Sequence, residues 1–163
     1  MCGIFGVWGH PRAAEIAHLG LYSLQHRGQE SAGIVAVGTD GVARGVRKMG
    51  LVSEGFSVAD VAPLTGTVAI GHTRYSTAGT STLDNAQPVL ARFRDGHLAL
   101  AHNGNLINAT ELRRELEDRG SIFSSSMDSE VIVHRMARSA AVKPEHRLAD
   151  ALAKVEGAYS LLV

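Results

Sequence analysis

The sequence lacks the residues that build disulfide-rich, zinc-binding or membrane proteins. Its 163 residues include one cysteine and four prolines, and only 5% are aromatic. A single cysteine cannot form an intrachain disulfide or a thiolate-rich zinc site. No apolar run approaches the roughly 20 residues of a membrane span, and no basic segment followed by a long apolar one opens the chain, which argues against a signal peptide. These absences predict a cytoplasmic protein.

The charges also exclude two classes of partner. Sixteen basic and sixteen acidic residues cancel, so no field of one sign attracts nucleic acid or an anionic membrane. The common phosphate-loop, zincin and dinucleotide motifs are missing. The eight histidines are scattered, and we expect no metal in this segment. With 45% hydrophobic residues, the chain is long enough to bury the core of one globular domain.

The apolar pattern predicts a strand-rich chain with helices inserted between hairpins. We expect strands over 2–8, 33–38, 42–47, 67–72, 89–93, 97–102 and 158–163. Helices are expected from Pro11 to Leu24, from Asn108 to a cap at Gly120, after Ser126 or Asp128, and over 147–155. This order favours a sandwich of sheets with outer helices over a doubly wound parallel sheet.

Two helix starts carry more detailed predictions. Asn108 followed by Glu111 resembles a capping box. Ser126 or Asp128 is expected to cap the next helix. That helix should bury the apolar side chains Ile132, Val133, Met136, Ala137 and Ala140.

The lone cysteine follows Met1 directly. A small second residue generally allows removal of the initiator methionine, which would leave Cys2 with a free α-amine beside its thiol. An α-amine titrates near 7.7–8.0, so it can act as a general base at neutral pH, as in N-terminal nucleophile enzymes. Considered alone, a free cysteine such as Cys2 is more often a small buried hydrophobe than a nucleophile.

Five ordered motifs give this cysteine a context. They are Met-Cys-Gly-Ile-Phe-Gly-Val at 1–7, His-Arg-Gly-Gln-Glu-Ser-Ala-Gly-Ile at 26–34, Gly-His-Thr-Arg-Tyr-Ser-Thr at 71–77, Ala-His-Asn-Gly-Asn-Leu at 101–106 and Ser-Met-Asp-Ser-Glu at 126–130. Together they resemble the glutaminase domain of class II glutamine amidotransferases. The variants resemble the branch that makes phosphoribosylamine from phosphoribosyl pyrophosphate in the first step of purine (IMP) synthesis, rather than the hexosamine- or asparagine-forming branches.

The resemblance implies an α+β fold, the αββα sandwich of N-terminal-nucleophile (Ntn) hydrolases, and hydrolysis of the glutamine side-chain amide. Cys2 would attack the amide carbon to form a thioester, and its own amine would carry the proton. The oxyanion would be held by the Asn103 side-chain amide and the Gly104 backbone N–H. A hairpin turn at Asn103-Gly104 is the alternative interpretation, and a tight turn could serve both purposes.

The resemblance also assigns the groups that bind a zwitterionic substrate. Arg74 offers a planar fork for the α-carboxylate, and Thr77 could add a hydroxyl there. Asp128 offers a counter-charge for the α-ammonium group. The structural alternatives are a salt bridge at Arg74 and a helix cap at Asp128.

Further residues of these motifs are expected to support the site. Arg27 and Gly28 should shape the loop near the nucleophile. His72, His102 and Tyr75 are expected in the core, and the alternative is that they support the groups of the site.

The resemblance covers essentially all of 1–163, and the final strand without a following turn predicts a glutaminase domain incomplete at its C-terminus. A phosphoribosyltransferase domain, with its magnesium, is expected elsewhere in the full-length enzyme, which we expect to be a homo-oligomer. Whether an iron–sulfur cluster is present stays open. The alternatives are another class II amidotransferase, a different N-terminal-nucleophile amide hydrolase, or a non-catalytic regulatory domain, which would be expected to have lost Cys2, Arg74 or Asp128.

Overall fold

A computed structural model describes residues 2–75 and 81–163. Within these ranges the strands are β1 (Gly3–Trp8), β2 (Ser31–Val37), β3 (Ala43–Met49), β4 (Val68–Arg74), β5 (Val89–Phe93), β6 (Gly96–Leu106) and β7 (Gly157–Leu162). The helices are α1 (Ala13–Leu24), α2 (Val52–Gly55), α3 (Val58–Val61), α4 (Ala109–Glu117), α5 (Glu130–Arg138) and α6 (Pro144–Leu152). In the described ranges, no helix is long and apolar enough to cross a bilayer.

The chain divides into two compact units. The first runs to Asn103 and includes Ser160–Val163; the second is Gly104–Tyr159. The first unit contains an antiparallel sheet with the strand order β1-β4-β2-β3. Its register pairs Gly3 with Thr73 and Ser31 with Arg74. The inner strand β2 is buried over nearly its whole length, which explains its almost continuous run of small and apolar residues.

Helix α1 covers one face of this sheet. Its buried residues Ala13, Ala17 and Leu21 follow the predicted apolar stripe, and a side chain at Gly71 of β4 would collide with Leu21. Helices α2 and α3, which the sequence did not predict, add Val52 and Val61 to the same core. Four-residue helices are too short to show a helical period.

The opposite face of the sheet meets strands of a second sheet, ordered β5-β6-β7. The His72 side chain of β4 reaches β6, where its Nε2 lies 3.0 Å from the His102 carbonyl oxygen. A carbonyl only accepts, so Nε2 is the donor. Leu162 of β7 packs close to Gly6 of β1. The first unit therefore has a helix–sheet–sheet arrangement, and both predicted hairpins, β2–β3 and β5–β6, are present.

In the second unit, the predicted capping box at Asn108 is wrong. Asn108 precedes α4, but its side chain makes no cap hydrogen bond. Its Nδ2 donates to the Lys154 carbonyl at 2.8 Å, and its Oδ1 accepts from the Glu156 N–H at 3.1 Å. Contacts with residues that are distant in sequence therefore occupy the Asn108 side chain, which is not available to cap α4. The helix end is as predicted, because Gly120 adopts a φ of 82°.

The start of α5 also differs from the prediction. Ser129 is the N-cap residue, so neither Ser126 nor Asp128 occupies that position. Ile132, Val133 and Met136 are buried as expected, whereas Ala137 and Ala140 are exposed. Ala140 lies beyond the end of α5 at Arg138. Helix α6 begins at Pro144 rather than at the predicted position 147, consistent with the preference of proline for a first helical turn.

Candidate active site

Cys2 lies immediately before β1, beside the end of β4. Because Gly3 pairs with Thr73 in an antiparallel register, Cys2 lies next to Arg74 and Tyr75. The Cys2 thiol donates a hydrogen bond to the Tyr75 carbonyl oxygen, with an Sγ–O distance of 3.8 Å. The residue is partly buried. The predicted nucleophile therefore sits at an accessible end of the first sheet.

Arg27 and Gly28 approach the same point from the turn after α1. Arg27 Nε donates to the Cys2 carbonyl oxygen at 3.1 Å. Gly28 is buried, and a Cβ atom there would lie 2.7 Å from the carbonyl carbons of Thr73 and Arg74. Only glycine permits this close approach of two backbone segments. The contacts bring this turn against both Cys2 and Arg74; its supporting role in catalysis stays a prediction.

Arg74 is buried in an ion pair. Its Nη1 lies 2.9 Å from Glu30 Oε1, and the two side chains are 7% and 16% exposed. The Glu30 N–H also donates to the Arg74 carbonyl oxygen at 3.1 Å. The salt bridge that was the structural alternative is therefore present. Because a guanidinium carries five N–H donors, pairing with Glu30 does not exclude a substrate carboxylate.

Glu30 was not among the predicted site residues, although it lies in the 26–34 motif. A signal was available: a buried arginine requires a counter-charge. Gln87 was also missed, and no periodicity or motif marked it. Its Oε1 accepts a hydrogen bond from the His102 N–H at 2.7 Å.

These side chains fix the strand that leads to Asn103. The His102 N–H binds Gln87 and its carbonyl accepts from His72, so both backbone groups before Asn103 are held. His72 and His102 are buried as expected, but Tyr75 is 57% exposed and does not belong to the core. Burial lowers the pKa of His72 to about 3, against the raising effect of its bond to His102. His72 is therefore neutral at physiological pH.

Asn103-Gly104 is not a hairpin turn. Both residues lie inside β6, which continues to Leu106. In the second unit, Gly104 has a φ of 150°, and a side chain on it would collide with the backbone of Ala158 and Tyr159. The turn interpretation fails because β7 pairs with this part of β6 and keeps the strand extended. The oxyanion roles of both residues stay predictions.

Asp128 is tied to the same stretch of β6 within the second unit. Its Oδ2 accepts from the Leu106 N–H at 3.0 Å, and its Oδ1 accepts from the Ser129 N–H at 2.7 Å. A carboxylate offers about four lone-pair positions, so these two bonds do not exclude an ammonium group. The Asp128 carboxylate thus binds the backbone of Leu106, which follows Gly104 by two residues in β6.

The predicted residues divide between the units. Cys2, Arg27, Gly28, Arg74 and Asn103 belong to the first, and Gly104 and Asp128 belong to the second. Thr77 lies outside the described residues. Over 2–75 and 81–163, no cluster of three or more His, Cys, Asp or Glu side chains could hold a metal ion.

Comparison with known proteins links this geometry to a family. Residues 72–163 match the model of the glutamine amidotransferase domain. The chain is 52% identical to an amidophosphoribosyltransferase of Lacticaseibacillus casei, over 99% of this chain and 84% of that relative. It is 48% identical to the Bacillus subtilis amidophosphoribosyltransferase over 99% of this chain, but spans only 34% of that relative.

Two solved structures share the fold. The glutamine phosphoribosylpyrophosphate amidotransferase of B. subtilis, complexed with ADP and GMP, matches with a TM-score of 0.90 at 44% identity. A structure described as the allosteric regulatory enzyme of purine biosynthesis matches with a TM-score of 0.93 at 45% identity. Each match covers 99% of this chain and about a third of the solved chain, 34% and 35% respectively. These matches confirm the predicted fold class.

Proposed function

The chain belongs to the glutamine amidotransferase domain family, and from this premise we propose that it hydrolyses the side-chain amide of glutamine through a thioester on Cys2. The ammonia released would form phosphoribosylamine from phosphoribosyl pyrophosphate, the first step of purine synthesis. One observation carries the proposal: the Cys2 thiol, the Arg27 side chain and the Arg74–Glu30 pair lie at the same end of the first sheet.

The chemistry begins at the Cys2 amine, once the residue before it has been removed. The amine accepts the thiol proton, and Sγ attacks the amide carbon of glutamine. The tetrahedral oxyanion is held by the Asn103 amide and the Gly104 N–H. The amine then gives its proton to the departing nitrogen, and ammonia leaves a thioester. Water, deprotonated by the same amine, attacks the thioester and releases glutamate and the free thiol.

Substrate recognition uses the two charges of the amino acid. Arg74 binds the α-carboxylate with N–H groups held in a fixed plane by Glu30. Thr77 adds a hydroxyl to this carboxylate site. Asp128, anchored through Leu106, faces the α-ammonium group. Because both charges must be matched, an amide without them is a poor substrate.

The acceptor half of the reaction requires further residues. The chain spans about a third of the length of several amidophosphoribosyltransferase relatives. We propose that ammonia passes to a phosphoribosyltransferase domain that binds phosphoribosyl pyrophosphate and magnesium, within a cytoplasmic homo-oligomer. The glutaminase step described here uses no cofactor.

The proposal is tested by measuring glutamate release by the full-length protein and by its Cys2→Ser variant. Serine is close in size but a far weaker nucleophile at neutral pH. We expect the variant to lose activity by roughly 10³-fold or more, as when other nucleophiles are removed, while its melting temperature is unchanged. Glutamate release that survives in Cys2→Ser would contradict the proposal.

A further inference from the structure

The segment that precedes α5 is organised around one buried carboxylate. Glu130 is 4% exposed. Its Oε1 accepts hydrogen bonds from the N–H and the hydroxyl of Ser124, at 2.9 and 3.0 Å. Its Oε2 accepts from the N–H and the hydroxyl of Ser125, at 2.9 and 2.5 Å. Each oxygen of the carboxylate therefore holds one residue of the 123–128 segment by two bonds.

A second residue holds the other side of this segment. Arg113 of α4 donates through Nη2 to the Ser125 carbonyl at 2.9 Å and to the Met127 carbonyl at 3.1 Å. Its guanidinium also lies 3.9 Å from the centre of the Phe123 ring. Glu130 thus binds two N–H groups of the 123–128 segment, and Arg113 binds two of its carbonyls. The segment is fixed by side chains although it has no regular secondary structure.

Asp128 ends this segment, and these contacts hold the backbone that leads to it. The chain from Ser125 to Met127 is held by Glu130 and Arg113, and the Asp128 carboxylate is then bonded to the Leu106 N–H. We propose that Glu130 is a positioning residue for recognition of the substrate α-ammonium group, acting through the 123–128 segment on Asp128. This inference rests on the proposed function, in which Asp128 meets that ammonium group.

Glu130 stays charged throughout the working pH range. Burial alone would raise its pKa, but the bonds from His134, Ser124 and Ser125 lower it to about 2. A carboxylate can accept all four bonds from the two serines, whereas a carboxamide in its place turns one end into a donor. Glu130→Gln therefore removes the acceptor for the hydrogen bonds of Ser124 or Ser125, with almost no change in side-chain volume.

The test compares kcat and KM for glutamine in the full-length protein, in Glu130→Gln and in a matched control. The control is Glu115→Gln, which removes a carboxylate of α4 that pairs with Arg119. A second substrate, the glutamine analogue that lacks the α-amine, measures ammonium recognition directly. For Glu130→Gln we expect KM for glutamine to rise about tenfold and kcat to change less than about twofold, the pattern of lost ground-state binding. The preference for glutamine over the analogue should fall by a similar factor, and Glu115→Gln should behave as the parent.

A purely structural role would give a different result. Partial unfolding lowers the apparent kcat but leaves KM and the preference for glutamine unchanged, and that outcome would overturn the inference. If Glu130→Gln does not fold, Ser125→Ala carries the same test, because it removes one hydroxyl from the same carboxylate. An unchanged KM and preference in that variant would likewise overturn it. A parent protein that releases no glutamate would overturn the proposed function, and this inference with it.

Discussion

At the residue scale, the predicted substrate groups are charges held by buried partners. Arg74 is paired with Glu30, and Asp128 is fixed by two backbone N–H groups. A buried charge that loses its partner keeps its desolvation cost without the compensating attraction. The same contacts that orient these groups therefore also contribute to the stability of each unit.

The Arg74–Glu30 pair makes a prediction about stability. Glu30→Gln leaves the Arg74 guanidinium buried without a full counter-charge, so we expect the free energy of unfolding to fall by about 3 kcal/mol. Asp40→Asn is the control, because its pair with Arg44 is exposed, at 49% and 37%, and removing it should destabilise the protein far less. Urea unfolding followed by circular dichroism measures both values. Equal losses would show that Glu30 does not balance a buried charge.

Asp128 makes a prediction about specificity. Asp128→Asn removes the negative charge that meets the α-ammonium group, and interactions with a charged partner are worth roughly 1.5–3 kcal/mol. We therefore expect KM for glutamine to rise by roughly tenfold or more. The penalty for a missing α-amine in the substrate should shrink in the variant. A variant that discriminates as strongly as the parent would leave Asp128 with a structural role only.

At the scale of the elements, β6 carries the predicted oxyanion donor on a rigid strand. The strand is held at His102 by Gln87 and His72, so the Asn103 amide starts from a fixed backbone. Asn103→Leu removes the amide at similar size and should lower kcat by about 10²–10³-fold, with little change in KM. Steady-state kinetics on glutamine separates the two constants. A large rise in KM with kcat intact would reassign Asn103 to substrate binding.

The contact between His72 of β4 and His102 of β6 also makes a prediction about pH. His72 has a pKa lowered from 6.5 to about 3 by burial, so in this range the unfolded chain binds a proton that the folded chain does not. The contribution of His72 to the free energy of unfolding is therefore fully present above pH 6.5. It is lost as the pH drops towards 3, with a slope of up to about 1.4 kcal/mol per pH unit.

His72→Gln tests this dependence, because an amide can still donate to the His102 carbonyl but does not titrate. The free energy of unfolding should then depend less steeply on pH over this range. His97→Gln removes an exposed imidazole and should keep the slope of the parent. If His72→Gln and the parent show the same slope, the lowered pKa of His72 is wrong.

Much of the fold could be predicted because its strands and longer helices have strong local patterns. The buried strand β2 and the apolar stripe of α1 are visible in the sequence. The failures have nonlocal causes. Asn108 is a good cap residue, but its side chain binds Lys154 and Glu156 from a distant part of the chain. The Asn103-Gly104 sequence is typical of a turn, but in the fold β7 pairs with β6 and both residues lie in the strand.

The candidate site shows the same division. Cys2, Arg74 and Asp128 could be named from motifs, because those residue types carry the chemistry. The residues that hold them and the neighbouring backbone, Glu30, Gln87 and Glu130, were assigned no roles, because each acts through contacts that form only in the folded units. Local patterns therefore identify the reactive groups, and tertiary contacts determine how these groups are held.

At the scale of the whole molecule, the predicted site residues are distributed over the two units. The first unit carries Cys2, Arg74 and Asn103, and the second carries Gly104 and Asp128. Neither unit alone contains the complete set of residues. The base proposed for the Cys2 thiol, the α-amine of the same residue, belongs to the first unit.

The most direct test of this proposed base is the kcat for glutamine hydrolysis by the full-length protein with the Cys2 α-amine free or blocked by a retained preceding residue. Mass spectrometry establishes which N-terminus each sample has, and equal melting temperatures show that both samples are folded. General acid–base catalysis by a positioned group typically contributes about 10²–10⁴-fold, so we expect blocking to lower kcat by about a hundredfold or more. Equal turnover by the free and the blocked protein would contradict the proposed role of the α-amine.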